Sequence, residues 1–198
     1  MKELDPNPPQ GQAIRFGVIA DTHIPDRAKA LPAGVLAAFQ AAQVDQILHA
    51  GDVSSWQAIE ALEQIAPVTV VQGNRDWLFG MRLPKHVTLE ANGVQITITH
   101  GHRTIAHYLV DKWAYLTQGY RFKRYYNYLT VDFPQADVII FGHTHYQAAV
   151  WVENQLFFNP GAAYPCTHNK YTPEFGLLTV LPDGTVRTDC LRLESSTP

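Results

Sequence analysis

At 198 residues the chain has room for one domain with a small elaboration and none for two full domains. Its composition, 46% apolar, 11% aromatic and 17% charged, supplies a sizeable core and excludes disordered, collagen-like and coiled-coil chains. The formal charge of −3, from 15 basic and 18 acidic residues with neutral histidines, announces neither a nucleic-acid nor a membrane partner.

Met1 to Ala13 is polar and proline-rich, lacks the apolar stretch of about 7–15 residues of a secretory signal, and reads as a loose tail. From Ile14 onward the expected unit is a single domain, 14–198, whose first part repeats one pattern: an apolar run, a cluster of Asp, His, Asn and Gly, then a helical segment. Phe16 to Ala20 ends in Asp21-Thr22-His23, and Ala30 to Ala42 follows with Val35, Leu36 and Phe39 at helical spacing and Pro32 in the first turn. Gln46 to Ala50 ends in Gly51-Asp52, after which Ser54 and Gln57 fit a capping box for a helix carrying Ile59, Leu62 and Ile65. Val68 to Gln72 ends in Gly73-Asn74-Arg75-Asp76. The rhythm then changes, because His86–Glu90 and Val94–Thr99 flank the hairpin signal Ala91-Asn92-Gly93. The second of these strands runs into His100-Gly101-His102, and Asp137–Phe141 runs into Gly142-His143-Thr144-His145. Ala148–Phe158 and Phe175–Leu193 read as antiparallel strands, the latter turning at Asp183-Gly184.

All five polar clusters follow an apolar run, and in an α/β sheet ligands bind beyond the carboxyl ends of the strands. Asp21, His23, Asp52, Asn74, His100, His143 and His145 therefore form a candidate set of carboxylate, amide and imidazole donors without a thiolate. That chemistry suits two divalent ions, with manganese first and iron, nickel or zinc as alternatives. Taken singly each piece is weak, since a strand-end Asp, a turn Asn or a loop His is common; the order and placement of all seven carry the reading. Cys166 and Cys190 are too few for a disulfide framework and lack the paired spacing of a thiolate zinc site, so both read as free thiols in a reducing compartment. No run reaches the roughly 18 apolar residues of a membrane span, and a cytoplasmic location is the expectation.

The series Asp21-x-His23, Gly51-Asp52, Gly73-Asn74-x-Asp76, His100, Gly142-His143-x-His145 resembles the calcineurin-like metallophosphoesterase superfamily, in particular its YfcE-like phosphodiesterase branch. The resemblance implies a single-domain four-layer αββα sandwich with mixed sheets. It also implies one metal on Asp21, His23, Asp52 and His145, a second on Asp52, Asn74, His100 and His143, and Asp52 as the bridge. The expected activity is hydrolysis of a small phosphoester, a diester first, by in-line attack of hydroxide generated between the two ions.

Asp52 and Asn74 also count as catalytic candidates, together with Arg75 and His102. Arg75 stands where phosphoprotein phosphatases of the superfamily have a histidine that assists the leaving group. Its guanidinium stays charged, so it can clamp a phosphoryl oxygen or pair with Asp76 but not donate a proton. His102 is the candidate substitute acid, weighed against a loop histidine facing water. Asp21-Thr22-His23-Ile24-Pro25 with Arg27 and Leu31-Pro32 also resembles the opening of the retromer scaffold subunit of this fold, which makes a protein-interaction scaffold the non-enzyme alternative.

An insertion over about 103–134 completes the inventory. Leu109, Trp113, Leu116 and Tyr120 predict an amphipathic helix, and Arg121 to Tyr128 interleaves cations with aromatics. Residues 103–130 hold five basic groups and one acid, net +4. They either steer nucleotides or nucleic acid, or pack the insertion onto the sandwich or a second subunit of a homo-oligomer. Asn159-Pro160-Gly161 is similar to the family loop beside the metals, whereas Cys166 and His168 are expected to take no catalytic part, and His49, His86 and His107 are expected to be structural.

Overall fold

A computed structural model describes residues 11–102, 117, 119 and 121–193. Leu109, Trp113, Leu116 and Tyr120, on which the expected amphipathic helix rests, lie outside the described residues, as do His107 and residues 1–10 of the expected tail. Gly11 and Gln12, at the tail's inner end, exchange hydrogen bonds with the side chain of Asn92.

Among the described residues, ten strands form two five-stranded sheets. The first has the order β10-β9-β1-β2-β3, from β1 (Ile14–Ile19), β2 (Gln46–His49), β3 (Val68–Val70), β9 (Glu174–Val180) and β10 (Val186–Arg192). The second has the order β4-β5-β6-β8-β7, from β4 (His86–Ala91), β5 (Val94–Thr99), β6 (Val138–Phe141), β7 (Ala148–Val152) and β8 (Gln155–Asn159). The parallel pairs are β1·β2, β2·β3, β5·β6 and β6·β8, and the other pairs are antiparallel, so both sheets are mixed.

Side-chain alternation explains the layering. Along β1, Phe16 and Val18 face the second sheet while Ile19 faces the helices; along β6, Val138 and Ile140 face inward while Ile139 and Phe141 face out. Strands covered on both faces read as continuous apolar runs, which is why β1, β2 and β6 show no polar alternation. The core between the sheets includes Leu48, Val71, Ile96, Ile98, Leu156 and Phe158. Outside the first sheet, α1 (Ala33–Ala42) and α2 (Trp56–Glu63) bury Val35, Phe39 and Leu62 against Ile19, Ile47 and Phe175. The short α3 (Asn74–Leu78) follows β3, and outside the second sheet α4 (Phe122–Asp132) buries Tyr125 and Leu129 against Ile139, Phe141 and Phe157. The result is the expected four-layer αββα sandwich.

Local expectations need two corrections. The helix expected from Ala30 begins at Ala33, with Pro32 as the residue before the first turn. The capping box of Ser54 and Gln57 does not form: α2 starts at Trp56 after Ser55, which makes no side-chain cap bond. Ser54 instead sits at φ 72° and donates its backbone N–H to Asp76, so the demands of the loop beyond β2 override the local capping signal.

The aromatics of α4 pack onto the sandwich. Phe122 and Tyr126 each lie 6.0 Å from the Phe157 ring and Tyr125 stacks on Phe141 at 6.4 Å, while Arg121 and Lys123 are exposed. Among the described residues, no helix is long and apolar enough to cross a membrane.

Candidate metal centre

The loops after β1, β2, β3, β5 and β6 meet at one end of the sandwich, where the two sheets present their carboxyl edges together. Backbone hydrogen bonds join the first two loops: Asp21 N–H donates to Gly51 O at 3.0 Å and His23 N–H to Asp52 O at 3.0 Å. Asp21, His23, Asp52, His143 and His145 all have φ between 50° and 68°. This left-handed region disfavours most side chains but is several-fold enriched in Asp, Asn and His, so these residue types turn the chain sharply and still supply ligand atoms. Where even a Cβ does not fit, glycine stands: a Cβ on Gly73 would lie 2.1 Å from Asp52 Oδ1 and 2.2 Å from Asp52 N.

All seven expected donors converge. His145 Nε2 lies 3.2 Å and His23 Nε2 3.7 Å from Asp21 Oδ1. Asp52 Oδ2 lies 3.8 Å from His23 Nε2 and 3.6 Å from His100 Nε2, between the two halves of the site. Asn74 Oδ1 lies 3.1 Å from both His100 Nε2 and His143 Nδ1. His23 is 1% exposed and Asp21 fully buried, yet Asp21 Oδ1 and both ring nitrogens of His23 have no hydrogen-bond partner. Buried polar atoms that approach one another without hydrogen-bond alignment carry a desolvation cost that a cation would remove. The oxygen-and-imidazole chemistry of the set fits such ions.

The supporting contacts fix these donors from behind. His100 Nδ1 hydrogen-bonds to Ala50 O at 2.7 Å, which leaves Nε2 facing the site. The Asp76 carboxylate, fully buried, accepts backbone N–H bonds from Asp52 (2.9 Å), Ser54 (2.7 Å) and Gly73 (2.7 Å) and so holds two loops together. His49 is buried, accepts from Gly51 N–H at 3.1 Å and meets Thr22 Oγ1 at 3.2 Å, a structural place as expected. Asn159 donates to Gly142 O (2.9 Å) and Thr144 Oγ1 (3.0 Å), tying the loop after β8 to the one after β6.

Charge divides the histidines. Burial disfavours a charge on His100, but Asp52 and Asp21 outweigh it and raise its pKa to about 9; for His145 the same opposition, with Asp21 dominant, raises it to about 10. Burial depresses His23 to about 4 and His143 to about 3. Asp52 is held well below the carboxylate range because the His100 charge outweighs its burial.

Arg75 and His102 border the donors. Arg75 N–H donates to Asp52 Oδ1 at 2.7 Å, and its guanidinium pairs with Asp26 rather than Asp76. Adjacent residues on a helix do not face each other, and Asp76 is committed to backbone N–H groups, so the Asp76 alternative fails. The His102 ring lies 5.2 Å from that of His100 and 6.2 Å from that of His143, and its Nδ1 is buried without a partner. Burial, with the His100 charge, lowers its pKa to about 4, so it is neutral at pH 7. A cavity of about 330 Å³ opens beside it, lined by Lys85, His86, Thr99, Tyr128 and Phe133 among others.

Sequence reasoning missed four neighbours. Asp26 gave no signal, since nothing local marks it as the partner of Arg75. Tyr164 places its ring 4.9 Å from His23 and 5.6 Å from His145, edge-on to both, and receives a hydrogen bond from Arg27. Cys166 and His168 lie beside His145, although the Cys-x-His spacing was a readable signal.

The family model described as the calcineurin-like phosphoesterase superfamily domain matches residues 14–182. A probable metallophosphoesterase of Methanothermobacter thermautotrophicus is 38% identical over 147 residues, 74% of this chain and 76% of that protein. A phosphodiesterase of Methanocaldococcus jannaschii is 26% identical over 180 residues, 83% of this chain and 92% of that protein. Among solved structures, Entamoeba histolytica Vps29 in complex with zinc matches with a TM-score of 0.65 at 22% identity, covering 90% of this chain and 99% of that one. The chain belongs to the calcineurin-like phosphoesterase superfamily.

Proposed function

We propose that this protein is a dinuclear metal-dependent phosphoesterase that hydrolyses a small phosphodiester. The observation that carries the reading is the place of Asp52, whose Oδ2 faces His23 Nε2 at 3.8 Å on one side and His100 Nε2 at 3.6 Å on the other. Asp21, His23, Asp52 and His145 would hold one ion; Asp52, Asn74, His100 and His143 would hold the second. When bound there, two divalent ions, manganese foremost, would lower the pKa of water toward neutrality and would offset charge on the phosphoryl oxygens.

The chain's own residues do the rest. Asp52 is oriented by the Asp76 bond to its N–H and by Arg75 N–H on Oδ1, so its other oxygen stays aimed into the site. Arg75, partly exposed and held by Asp26, offers a fixed positive charge to a phosphoryl oxygen at the rim. His102, neutral at pH 7, borders His100 and His143 and can offer a leaving oxygen a ring N–H as hydrogen-bond donor rather than a proton to transfer, and the cavity beside it gives room for the second ester substituent of a diester.

The competing reading is a protein-interaction scaffold, favoured by the segment from Asp21 to Pro32 and by the fold shared with Vps29. Intact Asp52 and Asn74 support catalysis instead. The test is hydrolysis of a chromogenic phosphodiester with added manganese, beside Asp52→Asn, with metal content measured on both proteins. Loss of at least a hundredfold in the variant, on the order of 3 kcal/mol of transition-state stabilisation, is expected; equal rates would overturn the enzyme reading.

A further inference from the structure

The loop between β8 and β9 brings a thiol and a second imidazole to the edge of the metal centre. Ligand atoms of His145, Cys166 and His168 all lie within 4.8 Å of one another. The rings of His145 and His168 are 5.6 Å apart and edge-on, and Tyr146 backs His168 at 5.2 Å. The loop that presents Cys166 is tied internally. Cys166 N–H donates to Asn169 Oδ1 at 2.9 Å, Asn169 Nδ2 donates to Ala162 O (2.9 Å) and Tyr164 O (2.7 Å), and Tyr171 N–H donates to Cys166 O at 2.8 Å. Asn169 is 1% exposed, so this staple is part of the core rather than a surface contact. Cys166 is 9% exposed and the His145 side chain 14%, which leaves the trio reachable from solvent.

The donor chemistry differs from that of the seven-residue set. Two imidazoles and a thiolate form a borderline-soft trio that prefers zinc over manganese or magnesium, and three protein ligands leave a fourth tetrahedral position open. We propose that His145, Cys166 and His168 form a third cation position, specific for a thiophilic divalent ion of the zinc class, adjoining the two positions built on Asp21, Asp52 and Asn74. It shares His145 with the Asp21 side, where Nε2 lies 3.2 Å from Asp21 Oδ1, so filling both positions requires that imidazole to give up both ring protons to solvent and bridge the two ions as an imidazolate. In its adjacency the inference rests on the dinuclear reading; in its ligands it does not.

Cobalt reports the thiolate directly, because a cysteine bound to Co²⁺ gives a near-ultraviolet charge-transfer band that oxygen and imidazole ligands do not give. Titration of the full chain with Co²⁺ is expected to develop that band to a plateau whose intensity matches one cobalt–thiolate bond per chain, with Zn²⁺ and not Mn²⁺ abolishing it. Cys166→Ser is expected to remove the band, His168→Ala to weaken Zn²⁺ binding by about tenfold or more, and Cys190→Ser to change neither. Absence of the band in the unmodified protein, or its survival in Cys166→Ser, would overturn the proposal. Metal content separates the two readings. Two ions bound per chain without the band leave the dinuclear reading standing and this one refuted; the band in Asp52→Asn protein that has lost the other ions supports this site by itself.

Discussion

Replacing Gly73 by alanine tests how rigidly Asp52 is held. The added Cβ would sit 2.1 Å from Asp52 Oδ1 and 2.2 Å from Asp52 N. Relief to an ordinary contact, which begins at 3.4 Å, needs a displacement of about 1.3 Å, and a misplacement of even about 1 Å costs on the order of a hundredfold in rate. Asp52 cannot yield freely, since its N–H is bound to Asp76, its Oδ1 to Arg75 N–H and its carbonyl to His23 N–H. The backbone at Gly73 is already extended, with φ −89°, so the effect is one of contact rather than of dihedral strain. Overpacking of this kind costs about 1–3 kcal/mol, which lowers the melting temperature of a chain this long by roughly 2 to 12 °C. The comparison is Gly93→Ala in the β4–β5 turn, where φ is +80° and no atom lies within 4 Å of a new Cβ. It is expected to lower stability by about 1 kcal/mol through αL strain while leaving turnover and metal content unchanged. Thermal melts, metal analysis and diester hydrolysis on both variants decide. A Gly73→Ala protein that binds two ions and turns over within threefold of the parent would refute the claim that the bonds to Asp76, Arg75 and His23 hold Asp52 rigidly.

Arg75→Ala is expected to raise KM for a phosphodiester by about tenfold, as loss of a charge-assisted contact to a phosphoryl oxygen would, with kcat and metal content little changed; unchanged KM would place Arg75 only in its pair with Asp26. His102→Ala is expected to slow esters of poor leaving groups at least tenfold more than a nitrophenyl ester, and equal loss on both would remove His102 from leaving-group assistance. In metal-free protein, His23 and His143 have pKa values below the ordinary 6.5, so their contribution to stability grows as pH rises toward 6.5; His100 and His145 have raised values, so theirs is full below 6.5 and is lost as pH climbs through about 9 and 10. Thermal melts in chelator are therefore expected to peak near pH 6.5, and a stability still rising from pH 7 to 9 would contradict these assignments.

Most of the scaffold was legible because strands buried on both faces must be continuously apolar, and the polar clusters that interrupt them mark where β1, β2, β3, β5 and β6 emerge at one edge. The seven donors were legible for the same reason, and because Asp and His tolerate the left-handed turns that those exits require. What escaped depended on pairing across distant loops. Arg75 turns to Asp26, 49 positions earlier in the chain, because its helical neighbour Asp76 faces the other way and is occupied by backbone donors. Ser54 abandons a sound capping signal for the same carboxylate. Cys166 and His168 looked inert beside the motif, and only the packing of the β8–β9 loop against His145 gives them a shared focus.

The protonation pattern sets one further expectation for the assembled centre. Asp21 and Asp52 are buried anions, and in the metal-free protein their charge is balanced by protons on His145 and His100, whose pKa values of about 10 and 9 keep both imidazoles charged at pH 7. An imidazole binds a metal only through a deprotonated nitrogen, so coordination at His100 and His145 must expel those protons. Loading both positions at pH 7 is then expected to release about two protons per chain. Calorimetric titration with Mn²⁺ in buffers of different ionisation enthalpy reads the number directly from the slope of observed heat against that enthalpy. Release near two at pH 7, falling as the pH approaches 10, would match histidines that hold the place of cations; a slope of zero at pH 7 would mean that the carboxylates are not balanced in this way and that His100 and His145 are neutral before the metal arrives.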